Sequence, residues 1–268
     1  MICPLCDSVN IKLLTLNSCK INQCKKCTLQ FIDIKEQEKN KNYLKKYQDF
    51  RKEDSISGKL REIQYSLDIE YFKKLNLKGN ILDVGCSTGI FLNKLNEISN
   101  LNLYGIDTDY NAIELAKKKN SSKIKFINTD IINYKTNLKF DCIIFRGSFQ
   151  FLGKDLKETL KKISKISSKN IKIIIYSLPN SDSILYNLLK DNWHLFDKFS
   201  HSLIFNKNSI IQICKMHNYK IHEYSYPYLE TPYANYLEDN KKLIQLIKGE
   251  KIKSFPFWGN IIQVVLKK

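Results

Sequence analysis

Apolar residues along this chain fall into short runs broken by polar turns. Residues 81–84, Ile-Leu-Asp-Val, end in Gly85-Cys86-Ser87-Thr88-Gly89 and pass into Ile90-Phe91-Leu92-Asn93-Lys94-Leu95. That order predicts a strand, a tight loop and a helix. Further strands are predicted over 103–107, 124–127, 140–145, 171–176, 221–226 and 260–266, making seven with the first. Between them lie helical patterns at 156–166, 182–190, 208–217 and near 241–247. Upstream, Leu60, Ile63, Leu67 and Phe72 recur at roughly helical spacing, which predicts a helix over 57–75 that packs on the sheet. The overall expectation is an α/β fold.

The loop at 85–89 carries the first chemical signal. Gly85 and Gly89 lack a Cβ, so the backbone there can turn with positive φ and lie close to a ligand at a helix N-terminus. A dinucleotide fingerprint counted from Gly85 needs glycine at 87 and 90, where this chain has Ser87 and Ile90, and no phosphate-binding G-x-x-x-x-G-K-[ST] run exists. Asp83, two residues before Gly85, repels phosphate and suits a ligand with an amino group and a sulfonium, which is S-adenosylmethionine. Asp107, about 20 residues on and at the end of the second strand, can accept both ribose hydroxyls. Asp130 and Ile131, after the third strand, suit the edge and face of an adenine. An ordinary strand-to-helix turn would also use Asp83, Gly85 and Gly89, but Asp107 and Asp130 in register favour the cofactor.

In order, these elements resemble the class I S-adenosylmethionine-dependent methyltransferases over roughly residues 79–180. The resemblance implies a Rossmann-like, seven-stranded sheet with helices on both faces. It also implies a cofactor site made of Asp83, Gly85, Cys86, Ser87, Gly89, Asp107, Thr108, Asp130, Ile131 and Arg146. Ser87 departs from the family's D-x-G-x-G-x-G loop, standing where the middle glycine would be.

A second signal lies at the N-terminus. Cys3-x-x-Cys6 and Cys24-x-x-Cys27, separated by 17 residues, have the spacing of a structural zinc site in which four thiolates close a tetrahedron. Residues 11–16 and 28–32 would be the short strands of a zinc ribbon, with Cys19 outside the ligand set. The alternative is four unliganded thiols. The predicted division is a zinc ribbon at 1–34, a helical linker or lid at 35–78, and a methyltransferase domain at 79–268 with an aromatic insert at about 227–259. In the linker, Tyr43, Tyr47 and Phe50 are candidates for a lid or for packing.

The loop after the fourth strand, Arg146-Gly147-Ser148-Phe149-Gln150-Phe151, faces the methyl group in such folds. It lacks both the N-P-P-Y-like run of amino-methylating nucleic-acid enzymes and the Pro-Cys nucleophile of cytosine C5 enzymes. Cys142 reads as core, and Arg146 and Gln150 are candidates for holding cofactor or acceptor. Beyond the fifth strand, Trp193-His194, Phe196, Phe199, His201 and Phe205 resemble zinc-ribbon methyltransferases of bacterial sugar and surface-polysaccharide pathways. That resemblance implies His201 as general base, with His194 second, because an imidazole near neutrality can take the acceptor's proton. A hydrogen-bonded loop anchor is the alternative for His201. His217 suits a helix end, and His222 a packed strand. The insert's Tyr226, Tyr228, Tyr233, Tyr236, Phe255, Phe257 and Trp258 suit a wall for a sugar or base face, or a second small core.

Charge modifies this picture only slightly. The formal net charge of +17 invites a nucleic-acid reading, yet Arg51, Arg61 and Arg146 are the only arginines among the 44 basic residues. Grooves for RNA ordinarily use arginine forks, so the lysines read mainly as solvated surface. No stretch has the length and apolarity of a membrane span, and no signal segment opens the chain, so a cytoplasmic enzyme is expected. The expected activity is methyl transfer to a small acceptor, a nucleotide-linked or related sugar. The rivals are a ribosomal or transfer RNA base methyltransferase that uses the ribbon and lysines for RNA, and a non-enzymatic partner protein that binds through its ribbon.

Overall fold

The computed structural model describes residues 1–32, 56–97, 101–196 and 203–268. In chain order, strands β1 (Ile11–Thr15), β2 (Lys20–Cys24) and β3 (Gln30–Phe31) precede helix α1 (Ile56–Lys74). Then come β4 (Gly79–Val84), α2 (Ile90–Leu95), β5 (Leu101–Asp107), α3 (Tyr110–Lys119), β6 (Lys125–Asn128) and β7 (Phe140–Arg146). The chain continues through α4 (Leu156–Ile166), β8 (Ser167–Pro179), α5 (Ile184–Leu189), β9 (Leu203–Ile204), α6 (Lys207–His217), β10 (Lys220–Ser225), α7 (Tyr236–Ile247) and β11 (Ile261–Lys267).

Seven strands form the main sheet in the order β10-β11-β8-β7-β4-β5-β6. All neighbouring pairs from β8 to β6 are parallel, whereas β11 runs antiparallel to both β8 and β10. The predicted Rossmann-like sheet is therefore present. Its central strands carry apolar residues on both faces, because helices cover both. Period-two alternation splits them: Ile143, Phe145, Ile173 and Ile175 face α4 and α6, while Cys142, Ile144 and Ile174 face the layer of α1, α2 and α3.

The sequence pattern misjudged one face of α1. Ile63 and Leu67 are 51% and 44% exposed, and the buried stripe runs through Tyr65, Asp68, Ile69 and Phe72. These positions share a face at helical spacing, but Asp68 is charged and so hides the stripe from an apolar count. It is buried because its carboxylate is paired with Arg146 at the end of β7.

At the N-terminus, β1, β2 and β3 form an antiparallel sheet whose fourth strand is β9, from far along the chain. The strand at Lys20–Cys24 escaped the sequence reading because its polar Lys20, Asn22 and Gln23 lack an apolar run. Side-chain bonds add to the junction. Asp191 accepts the N–H groups of Asn17 (2.8 Å) and Ser18 (2.7 Å) and the Ser18 hydroxyl, and the Tyr186 hydroxyl donates to Gln30 Oε1 at 2.6 Å. Leu16, Ile21 and Ile32 share a core with Trp193, Tyr186, Phe196, Tyr228 and Phe257. The small sheet and the C-terminal insert thus bury one common apolar cluster. Among the described residues, no helix is long and apolar enough to cross a membrane.

Replacing Asp191 by alanine removes three bonds to one carboxylate. The Asp191→Ala variant should lose about 1–3 kcal/mol of stability, read as a lower Tm in calorimetry. An unchanged Tm would mean that this latch contributes nothing to the junction.

Candidate functional site

The order of strands reverses at β4, with β5 on one side and β7 on the other. A crevice outside the carboxyl ends of such strands is where open α/β sheets bind ligands. The loop leaving β4 is shaped for this purpose. Gly85, Ser87 and Gly89 have φ of 84°, 51° and 75°. The N–H groups of Gly85 and Cys86 both donate to Ile106 O, at 2.8 and 3.1 Å. A Cβ on Gly85 would lie 2.6 Å from Ser148 Cβ, and one on Gly89 would lie 2.4 Å from the Phe126 ring. Both glycines are thus required by conformation and by space. Ser87 keeps the left-handed backbone that glycine adopts freely, at a cost of about 1–2 kcal/mol.

Asp107 organises this loop. Its Oδ2 accepts the Ser87 N–H at 2.8 Å and its Oδ1 the Asp109 N–H at 2.9 Å. Each oxygen keeps a lone pair for a ligand hydroxyl. Asp109 then caps α3 by accepting from the Ala112 N–H at 3.1 Å. Asp130 accepts the backbone and side-chain N–H groups of Asn133 at 2.8 and 2.7 Å. Its burial opposes the charge, yet the Asn133 bonds outweigh that and hold the carboxyl below its ordinary value. Thr108 is exposed, whereas Ile131 points into the core and is 3% exposed.

The buried groups around the crevice are polar and incompletely partnered. Asp83 is 2% exposed, and its Oδ1 has no hydrogen-bond partner among the described residues. Burial pushes its carboxyl up to about 7; the Asp107 charge adds to the rise and Arg146 opposes it. The Arg146 guanidinium is paired with Asp68 and lies 4.2 Å from the centre of the Tyr65 ring and 5.1 Å from that of Phe91. Arg146 Nε, the Tyr176 hydroxyl and Gln64 Oε1 likewise find no partner among the described residues. Partnerless buried polar atoms are rare in proteins. Their gathering at the ends of β4, β7 and β8 and on α1 marks a place where a ligand completes the bonding.

Ser148 closes the crevice from the β7 side, its hydroxyl donating to Val84 O at 2.5 Å. Gln150, 4% exposed, donates from Nε2 to Gly147 O at 3.0 Å, so its side chain is folded against its own turn. His201 lies outside the described residues, as do Tyr43, Tyr47, Phe50 and Phe199. His194 is exposed, with Nδ1 2.7 Å from the Ser254 hydroxyl in the insert. His217 ends α6 and stacks on Tyr219; burial and nearby Lys161 lower its pKa. His222 Nε2 is 2.8 Å from Lys267 Nζ at the surface. Asp68, Tyr65, Gln64 and Tyr176 were not singled out by sequence. A lone acid on the Tyr65, Ile69, Phe72 stripe was the available signal.

The four N-terminal cysteines converge, their sulfurs all within 4.8 Å of one another. Cys3 and Cys27 are 3.5 Å apart and Cys6 and Cys24 3.6 Å. A tetrahedron with bonds of about 2.3 Å to zinc has edges near 3.8 Å, so the donor set fits that ion. Both knuckles repeat one backbone pattern. Cys3 O accepts from Asp7 N–H while Cys3 N–H donates to Ser8 O; Cys24 O accepts from Thr28 N–H while Cys24 N–H donates to Leu29 O. Asp7 and Thr28, equivalent positions, both have positive φ, 56° and 61°.

Two stability measurements test this geometry. Gly85→Ala should cost about 2–4 kcal/mol through strain and overlap with Ser148, whereas Gly249→Ala, with φ of 87° and open space around it, should cost on the order of 1 kcal/mol. Equal costs would deny the close approach at Gly85. For Asp83 the folded pKa is raised, so its contribution to stability is full below the ordinary value of 3.8 and is lost as pH rises through about 7. Relative to Asp83→Asn, the wild type should lose stability over that window, at no more than about 1.4 kcal/mol per pH unit. Parallel pH profiles would show that Asp83 is not held protonated.

Known proteins agree with this architecture. Malonyl-[acyl-carrier protein] O-methyltransferase 2 of Ilyobacter polytropus is 40% identical over 76 residues, 27% of this chain and 29% of that protein. Carboxy-S-adenosyl-L-methionine synthase of Campylobacter hominis is 33% identical over 121 residues, 42% of this chain and 50% of that protein. The chain therefore spans half or less of these two curated relatives. Among solved structures, magnesium protoporphyrin IX methyltransferase of Synechocystis PCC 6803 with bound S-adenosylhomocysteine (SAH) superposes with a TM-score of 0.58 at 12% identity, covering 85% of this chain and 95% of that one. The plantazolicin methyltransferase BpumL in complex with SAH gives 0.57 at 19% identity, covering 87% and 93%. These structures share the fold. A family model described as a methyltransferase domain matches residues 59–224, more than half of the chain and all of the crevice just described, and the chain belongs to that family.

Proposed function

We propose that this protein transfers the methyl group of S-adenosylmethionine to a small polar acceptor in the cytoplasm, a nucleotide-linked or related sugar of surface-polysaccharide assembly. The observation that carries the cofactor is Asp83, a buried carboxylate with an unpaired oxygen beside the Gly85 loop. An ammonium group arriving there supplies the missing donor and favours the ionised carboxylate. Asp107 offers the acceptor atoms that ribose hydroxyls need, and Asp130 lies beyond the next strand for the adenine. When bound, the cofactor would supply a methyl group already activated on a sulfonium. What remains for the chain is to align the acceptor and remove one proton. By resemblance, His201 takes that proton, with His194 as second candidate, and Gln150 is a candidate for holding the acceptor.

The acceptor reading draws on the insert. Trp258, Tyr236 and Tyr233 are 41%, 52% and 41% exposed, and Tyr236 and Trp258 pack edge to face at 5.7 Å. Rings with polar tips suit a sugar face. The Tyr233 phenol is raised first by burial, and the charges acting on it are those of Arg61, Arg146 and Asp68. Cys3, Cys6, Cys24 and Cys27 are proposed to hold a structural zinc ion, whose closed shell leaves no position for catalysis.

Thermal stability tests the reading directly. SAH at about 100 times its Kd should add about 2.7 kcal/mol, raising Tm, and one sugar nucleotide should raise it further. No shift with SAH would remove the cofactor; a further shift with RNA alone, lost as salt rises, would make RNA the acceptor. Asp83→Asn should weaken SAH about 10- to 100-fold, the loss of a charge-assisted bond. In the wild type, SAH affinity should rise as pH climbs through about 7 and Asp83 ionises. A flat profile would separate Asp83 from the cofactor.

A further inference from the structure

We propose that the four-cysteine module braces the loop after β7, so that metal occupancy at Cys3, Cys6, Cys24 and Cys27 sets the affinity of the Gly85 loop for its cofactor. This rests on the zinc reading above and assigns that site a role in the binding step.

The module grips the loop from two directions. In the first knuckle the Asp7 carboxylate pairs with Lys157 in the first turn of α4. Cys3, Pro4 and Asp7 face Gly153, Lys154 and Lys157 across a cavity of about 350 Å³. These last residues are where the β7 loop ends and α4 begins. In the second knuckle Thr28 Oγ1 donates to Asn206 Oδ1 at 2.8 Å, and Asn206 Oδ1 also accepts the Ser209 N–H at 3.0 Å as the N-cap of α6. One residue before that cap, Phe205 follows the two-residue strand β9, whose partner is β3.

From Phe205 a continuous set of contacts reaches the crevice. The Phe205 N–H donates to Pro179 O at 2.9 Å. Its ring lies 5.5 Å from that of Phe149, which lies 4.9 Å from that of Phe145. Phe149 and Phe205 are fully buried and share one core cluster with Cys3, Cys24, Cys27, Leu29 and Phe31. Phe149 adjoins Ser148, the residue whose Cβ occupies the space that a side chain on Gly85 would need and whose hydroxyl holds Val84 O. Gln150 is on its other side. Along this run of buried rings the packing is close, so a shift of Phe205 is passed to Phe149.

The ion would tie the two knuckles to each other, next to a strand pairing that is itself short. β3 pairs with β9 over only two residues, far too few to be stable alone. The knuckles bring four sulfurs within 4.8 Å of each other, a spacing at which one metal ion bonds all four and ties the knuckles together. On this proposal, loss of the metal loosens the knuckles and the β3–β9 pairing beside Phe205, and with them the Ser148 turn that rests against Gly85.

The test compares SAH binding by calorimetry in the purified full chain with its Zn²⁺ and after chelation, with amide exchange measured on both. Zn²⁺ should be present at one per chain. Its removal should raise the SAH Kd by about tenfold or more, within the range of coupled sites, while faster exchange concentrates at residues 147–155 and 203–206 and the central sheet stays protected. A chain that binds SAH but no Zn²⁺ would end the zinc reading and this inference together. One Zn²⁺ per chain with an unchanged SAH Kd after its removal would end the inference alone. If stripped protein loses the whole fold, Phe205→Leu decides, since it leaves all four cysteines in place. Full Zn²⁺ content with SAH weakened severalfold supports the brace, and full Zn²⁺ content with unchanged SAH affinity overturns it.

Discussion

Backbone at Gly85 passes so close to Ser148 that no side chain fits between them, and much of the molecule is arranged around that contact. It brings the ends of β4 and β7 together at the point where the sheet changes direction, which is where a crevice must open. The contact holds because both partners are fixed from behind. Gly85 is tied to β5 through Ile106 O, and Ser148 is tied to β4 through Val84 O and sits beside the buried Phe149. A loop that relied on its own hydrogen bonds would be free to fray, as loops with few packed neighbours do.

The crevice also carries charge that the interior does not readily accept. Asp83 and the Arg146–Asp68 pair lie near one another under α1, flanked by Tyr65, Phe91 and Tyr176. A buried ion pair is weak evidence for stability, because desolvation offsets much of its attraction. Its value here is positional. Gln64 donates to Asp68 Oδ1 from within α1, and the Arg146 pair on the other oxygen ties that helix to the end of β7 as the roof of the crevice. Asp83 is different: it lacks a neighbouring cation close enough to keep it ionised at neutral pH, and that deficit is what a cationic ligand relieves.

The N-terminal sheet is built into the body. It borrows β9 for its fourth strand, shares one core cluster with the main sheet and another with the C-terminal insert, and is latched by Asp191, Gln30, Asp7 and Thr28. A detachable recognition arm would instead show a polar, weakly packed junction. The N-terminal sheet therefore shares cores with both the main sheet and the C-terminal insert.

By itself the sequence determined the seven strands of the main sheet and most of its helices, though not α3, together with the Gly85–Gly89 turn with Asp83 and Asp107 around it and the convergence of Cys3, Cys6, Cys24 and Cys27. These are local matters: period-two and period-3.6 patterns, glycine's freedom at positive φ, and pairs of cysteines two residues apart are written in adjacent residues. Only the tertiary structure decided that Arg146 pairs with Asp68, 78 residues away, that Ile63 and Leu67 face outward, and that β9 completes the N-terminal sheet. A buried charge looks like a surface residue until its partner is known, and a two-residue strand such as Leu203–Ile204 has no period to read. Those features depend on contacts between distant parts of the chain, and such contacts exist only once the chain has folded.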